Sequence, residues 1–202
     1  MELKLLTPEQ LRSLYEQEMK RAFPPEELKP LKAMESLREQ GKYDALGLWD
    51  GDELLGYALM WLEPGYPFAL LDYLGTVEGK RGGGLGTQML GLLREYYRDY
   101  RGIFGEAEAP ENGAPEGLQL RLRRLDFYKR NGFRYGGYDC ALFGVHYQTL
   151  ILGDEDVSAE ELLQAHYGIY SGYMPPKVFD RFIQIPLHPG EEVKPASEWD
   201  EE

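Results

Sequence analysis

Three consecutive glycines, Gly82-Gly83-Gly84, stand between a run with strand character, Phe68 to Thr76, and a helical pattern that opens at Leu85-Gly86-Thr87. The helix is read from Leu85, Met89, Leu92, Leu93, Tyr96 and Tyr100, which recur at helical spacing. A strand that passes through glycines into a helix leaves backbone N–H groups unpaired at the positive end of the helix dipole. Such a nest suits a phosphate-sized anion. Glycine is required there because a side chain would block close approach and because positive φ is expected. Lys80 and Arg81 add charge. A flexible surface turn is the plain alternative for three glycines alone. Two nucleotide motifs fail on this turn. A Walker loop needs Lys-Ser/Thr after its last glycine, and none follows. The Gly-x-Gly-x-x-Gly fingerprint has a different spacing and needs a parallel βαβ unit.

The flanking chain reads as mixed α/β. Leu3 to Leu6 is a short strand. Thr7-Pro8-Glu9-Gln10 is a helix start with Thr7 as N-cap, Pro8 in the first turn and Gln10 completing a capping box. Phe23-Pro24-Pro25 ends that helix, and a second runs from about Pro30 to Gln40, stopping at Gly41. Tyr43 to Trp49 and Leu54 to Leu62 form a hairpin through Asp50-Gly51-Asp52. Beyond the glycine turn follow a strand at Ile103 to Ala107, a loop at Pro110 to Gly117, and a helix with Leu118, Leu122 and Leu125 on one face. That helix ends at Asn131-Gly132. Strands are expected at Phe133 to Phe143, His146 to Leu152 and Val178 to Leu187. Ser158-Ala159-Glu160-Glu161 opens a further helix that reaches about Tyr170.

A chain of 202 residues buries one sizeable core, so one domain is expected rather than two. The organisation read here is a core over 1–152, a helix and extension packed on it over 153–190, and an acidic flexible tail over 191–202. No run approaches the roughly 18 apolar residues of a membrane span, and the N-terminus lacks the order of a signal peptide. A cytoplasmic protein without membrane partners is the expectation. The net charge of −13 disfavours nucleic acid. Residues 80 to 134 nevertheless hold 11 of the 22 Lys and Arg against 7 of the 35 Asp and Glu, a local net of +4 that leaves −17 elsewhere. This asymmetry points to one face for an anionic ligand and another that tolerates cations. Cys140 is the sole cysteine, which excludes multi-cysteine zinc sites, and His146, His166 and His188 share no metal-ligand spacing, so no metal is expected.

Arg81-x-x-Gly84-x-Gly86 follows the pattern Arg/Gln-x-x-Gly-x-Gly/Ala, and Phe127-Tyr128-Lys129-Arg130-Asn131-Gly132-Phe133 follows aromatic-Tyr-x-x-x-Gly-Phe. On these two motifs, and on the order of elements from about residue 3 to 152, the chain resembles the GNAT superfamily of N-acetyltransferases. Glu78 stands where that family often has proline, and Arg121 where it often has asparagine. The resemblance implies a mixed central sheet splayed at an acyl-CoA site, with helices on both faces. It also implies acetyl-CoA as co-substrate, held by Leu74, Gly75, Thr76, Arg81, Gly82, Gly83, Gly84, Leu85, Gly86, Thr87 and Tyr128. Transfer to a primary amine by direct attack in a ternary complex follows, the Thr76 N–H polarising the acetyl carbonyl and Tyr128 protonating the leaving thiolate.

The base is open among Glu106, Glu108 and Asp72, acting directly or through water. Glu106 and Glu108 lie two apart on one strand and so share a face; Asp72 shares its face with Leu74 and Thr76. The plain alternative is that some of these acids pair with Arg121, Arg123 or Arg124. The acceptor, a small amine or peptide amino group, is expected beside Phe23-Pro24-Pro25-Glu26-Glu27, with Tyr66, Tyr73, Tyr138, Tyr170 and Tyr173 lining its site. A homodimer is left open. The competing class is a non-catalytic acyl-CoA-binding or sensing module on the same fold.

Overall fold

The computed structural model describes residues 1–80, 82–113 and 115–194, which divide into two compact units. Met1–Pro64 and Leu71–Arg98 make up the first; Gly65–Leu70 and Asp99 to Lys194 make up the second.

In the first unit, strands β1 (Glu2–Leu5), β2 (Tyr43–Asp50) and β3 (Glu53–Leu62) pair antiparallel, with Leu3 opposite Leu48 and Gly47 opposite Tyr57. The hairpin turns at Gly51, whose φ is +59°. Strand β4 (Phe68–Thr76) enters this unit at Leu71 and runs beside β3. Helix α1 (Pro8–Leu14) starts at the capping box read from sequence: Thr7 accepts from the Gln10 N–H, and Gln10 accepts from the Thr7 N–H at 2.8 Å. It continues as a π-helical stretch, Tyr15–Met19, and a last turn α2 (Lys20–Ala22). Helix α3 (Leu31–Glu39) starts after Pro30 and packs on β2, burying Met34 and Leu37. Helix α4 (Leu85–Tyr96) buries Met89, Leu90 and Leu93 and packs on β3 and β1. Tyr100 lies beyond it, contrary to the helical spacing: the helix is capped at Tyr97, whose hydroxyl donates to Asp44 at 2.7 Å.

In the second unit, β5 (Gly102–Glu108), β6 (Arg134–Leu142), β7 (Val145–Gly153) and β8 (Ile183–Leu187) form antiparallel pairs in the order β5-β7-β6-β8. Helix α5 (Leu118–Arg130) lies against β5, and α6 (Ala159–Tyr173) against β6 and β8. The Ser158–Glu161 capping box opens α6, which runs one turn past its expected end at Tyr170.

Two expectations fail here. Val178 to Phe182 is not strand: Pro175 and Pro176 preset helical φ, so Pro176–Phe182 forms helix α7 and only Ile183–Leu187 is extended. The leucine face of α5 is not core either. Leu118 and Leu125 are half-buried and Leu122 is exposed, whereas the buried residue of the helix is Arg121. Arg121 donates to the Pro110 carbonyl at 3.3 Å and lies 3.7 Å from Glu108, the pairing a buried cation requires. The end of the expected tail, 195–202, lies outside the described residues, as does Arg81.

Candidate active site

In the first unit, Gly82, Gly83 and Gly84 have φ of +104°, +63° and +75°. Three successive left-handed residues are accessible to glycine and costly for anything with a Cβ. The turn delivers Gly84 to the N-cap of α4, and no side chain among the described residues caps that end. Gly82, Gly83, Gly84 and Thr87 are exposed, and Leu85 and Gly86 are half-buried. The Leu85 N–H reaches the Gly82 carbonyl at 3.5 Å, and the next N–H groups of this twelve-residue helix, those of Gly86 and Thr87, face space that even added Cβ atoms on the three glycines would not fill. Lys80 is not a free cation beside this turn, because its ammonium pairs with Glu53. Both partners are exposed, so the pair is weak and can exchange for a stronger anion.

Leu74, Gly75 and Thr76 form the half-buried end of β4. Gly75 lies flush on the Tyr57 ring: an added Cβ would sit 2.3 Å from that ring, so any side chain would lift the strand end. Earlier on β4, Asp72 is held from two sides. Its Oδ2 is 2.6 Å from the Lys29 Nζ and also accepts from the Tyr43 hydroxyl. Lys29 is fully buried, its ammonium 3.8 Å from the centroid of the Trp61 ring. Tyr73 ties the 23–29 connection to β4: it donates to the Glu27 carbonyl at 2.7 Å, accepts from the Lys29 N–H at 2.8 Å, and meets Phe23 edge-on at 4.9 Å.

In the second unit, Tyr128 sits in the last turn of α5, packed edge-on against Phe127 and Phe133 at 5.3 and 5.1 Å. The αL turn at Gly132, with φ of +86°, folds Phe133 back onto it. Burial raises the Tyr128 phenol above its ordinary pKa, partly offset by the Arg124 charge, so it is protonated at neutral pH. No described residue takes or gives a hydrogen bond at its hydroxyl.

Glu106 and Glu108 hold different partners. Glu108 faces cations: Arg121 at 3.7 Å and Arg124 at 3.6 Å, with Asn112 donating at 2.9 Å. Two of the three arginines that the sequence offered as partners thus meet Glu108. Glu106 meets helix α6 instead. Its Oε1 is 2.7 Å from His166 Nε2, and the Tyr170 hydroxyl donates to Oε1 and Oε2 at 3.0 and 3.3 Å. The Tyr138 hydroxyl lies 3.0 Å from His166 Nδ1. His166 is fully buried, and burial raises both the Tyr138 phenol and the Cys140 thiol beside it. Ligating atoms of Glu106, Cys140 and His166 lie within 4.8 Å of one another, a convergence of β5, β6 and α6 that chain spacing could not reveal. Among the tyrosines expected around the acceptor, Tyr138 and Tyr170 meet at His166. Tyr66 packs against Gly168.

Neither Lys29 nor a site role for His166 emerges from the sequence reading. His166 leaves a signal: with Leu162, Ile169 and Tyr170 it falls on one face of α6, so its burial follows from the helical period. Lys29 leaves none.

The sequence pattern of the Acetyltransferase (GNAT) family matches residues 9–133. No curated protein sequence matches the chain. Several solved structures share the fold. A GNAT-family protein from Bacteroides thetaiotaomicron is 21% identical, covers 87% of this chain and 100% of its own, and has a TM-score of 0.68. An acetyltransferase from Thermus thermophilus is 21% identical over 76% of this chain and 98% of its own, with a TM-score of 0.57. A spermidine N-acetyltransferase from Vibrio cholerae, solved with CoA and spermine, is 12% identical over 75% of this chain and 94% of its own, with a TM-score of 0.56.

Proposed function

The chain belongs to the acetyltransferase (GNAT) family, and from that premise we propose that it transfers the acetyl group of acetyl-CoA to a primary amine by direct attack in a ternary complex. The observation that carries the reading is the left-handed Gly82-Gly83-Gly84 turn feeding an uncapped helix N-terminus. Those N–H donors fit the CoA pyrophosphate, with Arg81, Gly86 and Thr87 completing the cradle and the edge of Leu74-Gly75-Thr76 pairing with pantetheine. The Vibrio cholerae relative, solved with CoA and spermine, supports both the cofactor and a cationic amine acceptor. The −17 charge outside residues 80 to 134 favours the cationic acceptor alone.

The Thr76 N–H polarises the acetyl carbonyl and stabilises the oxyanion. Tyr128, kept protonated by burial, gives its proton to the leaving thiolate. Glu106 is the proton acceptor we assign. Asp72 and Glu108 are committed to Lys29 and to Arg121 and Arg124, whereas no described Lys or Arg lies within ion-pair distance of Glu106.

Calorimetry with acetyl-CoA and a CoA-release assay across polyamines, amino-terminal peptides and small amines test the proposal together. Binding followed by CoA release with at least one amine is expected. Tyr128→Phe should lower the turnover rate by about 10²-fold or more with little change in acetyl-CoA affinity. Binding without release across the panel would identify a sensing module instead.

A further inference from the structure

The family pattern ends at Phe133, yet the groups that hold the Glu106 carboxylate come from beyond it: His166 and Tyr170 on α6, with Tyr138 on β6 backing His166. We infer that His166 is a positioning residue for acetyl transfer, holding Glu106 in the orientation in which its carboxylate takes the proton of the attacking amine. This rests on the acetyltransferase reading above.

In the arrangement inferred, the Glu106 carboxylate accepts from His166 Nε2–H across 2.7 Å. The same neutral ring then accepts at Nδ1 from the Tyr138 hydroxyl across 3.0 Å. The Tyr170 hydroxyl donates to the same carboxylate from the next turn of α6. Burial raises the Tyr138 phenol, which keeps it a donor. The ring is wedged edge-on against Phe104 at 5.3 Å and tilted against Tyr138 and Tyr170 at 5.9 and 5.5 Å, so its plane is set. The Glu106 side chain retains 11% of its exposure while His166 retains none. The carboxylate is therefore the end of the chain that can meet an amine or a water. The remaining titratable neighbour, Cys140, is held as a neutral thiol by burial and by the Glu106 charge. From α5, Arg121 and Arg124 spend their charge on Glu108. A bound metal is not needed to satisfy these groups, since His166 and Glu106 already bond each other directly.

The amine nitrogen attacks the thioester carbon, forming the C–N bond, and its surplus proton passes to Glu106. Collapse breaks the C–S bond, and the thiolate takes the Tyr128 proton. Glu106 returns its proton to solvent and Tyr128 regains one, so amine and acetyl-CoA become amide and free CoA. His166 moves no atom in this sequence. Its bond to Oε1, with the Tyr170 hydroxyl on both oxygens, fixes the orientation of the carboxylate.

Two measurements on the full chain test the inference. In protein labelled with ¹⁵N-histidine, long-range ¹⁵N–¹H correlation should show His166 as the Nε2–H tautomer; an Nδ1–H tautomer would overturn the arrangement whatever the turnover. In pH profiles with one amine, His166→Leu removes the donor, and the acid limb of kcat/KM should move to higher pH by about one unit, with near-parental rates on the alkaline side. His166→Gln, which keeps an amide donor, should restore the limb, and Tyr138→Phe, a single hydroxyl deletion that preserves packing, should move it part of the way. Limbs unmoved in His166→Leu and Tyr138→Phe, with the parent chain active, would discard the positioning role and leave acetyl transfer standing. Activity that is lost to a chelator and returns with Zn²⁺ would also overturn it, making Glu106, Cys140 and His166 ligands instead. A parent chain with no transfer on any amine removes the acetyltransferase reading, and this role with it.

Discussion

Replacing Lys29 by methionine should cost the protein about 3–5 kcal/mol, although Lys29 is one residue in a proline-bounded connection. The magnitude follows from its surroundings. Lys29 has no exposed surface, and its Nζ lies 2.6 Å from an Asp72 side chain that is 9% exposed. At that separation the attraction is about 6 kcal/mol for an effective dielectric of about 20. The Trp61 ring at 3.8 Å adds a desolvated cation–π contact of about 2 kcal/mol. Desolvating both ions cancels much of this, so the pair as a whole adds little; removing one ion leaves the other buried and uncompensated. Asp72→Leu should therefore cost a similar amount, and Lys29→Met/Asp72→Leu less than the sum of the two by roughly 2 kcal/mol or more. Urea unfolding followed by tryptophan fluorescence reads the effect. With a slope of about 2 kcal/mol per molar, the midpoint of Lys29→Met should fall by about 2 M. A fall of under about 0.5 M, or strictly additive single variants, would refute a buried ion pair. Asp72→Asn with full stability and a lost acid limb in the rate profile would return Asp72 to the role of base.

Other consequences are more local. Gly75→Ala places a Cβ 2.3 Å from the Tyr57 ring, so thermal melts should show a loss of about 1–3 kcal/mol and calorimetry a weaker grip on acetyl-CoA. Glu108→Gln removes the carboxylate facing buried Arg121; a stability loss of about 1–3 kcal/mol is expected with the acid limb of activity in place, and a vanished limb would make Glu108 the base. Tyr135 donates to Asp139 at 2.9 Å, and burial with that bond pushes its pKa from 10.0 to about 12. A pKa raised by folding contributes stability that is fully present below pH 10 and lost as pH rises toward 12. Tyr135→Phe should remove that part of the alkaline loss, and an unchanged alkaline melting curve would contradict the assignment.

What could be read from the chain beforehand divides by the distance over which each feature is encoded. Thr7 with Gln10 and Ser158 with Glu161 are capping boxes spanning three residues, and both form as read. The glycine turn and the Gly132 cap are equally local, and their positive φ is what glycine at those positions is for. Misreadings arose where a neighbour overrides the local pattern. Arg121 took the buried place of a leucine because Glu108 and the Pro110 carbonyl receive its charge. Residues 176–182 coil because two prolines preset them. The chemistry at the acids is less local still. Lys29 meets Asp72 across 43 residues, and His166 meets Glu106 across 60. Three carboxylates of equal standing in the sequence thereby become a counter-ion of Lys29, an anchor for two arginines and one acid held by a histidine and a tyrosine. A turn encoded in a few consecutive glycines is legible from a single chain; a cluster assembled from residues dozens of positions apart becomes legible only once those residues have met.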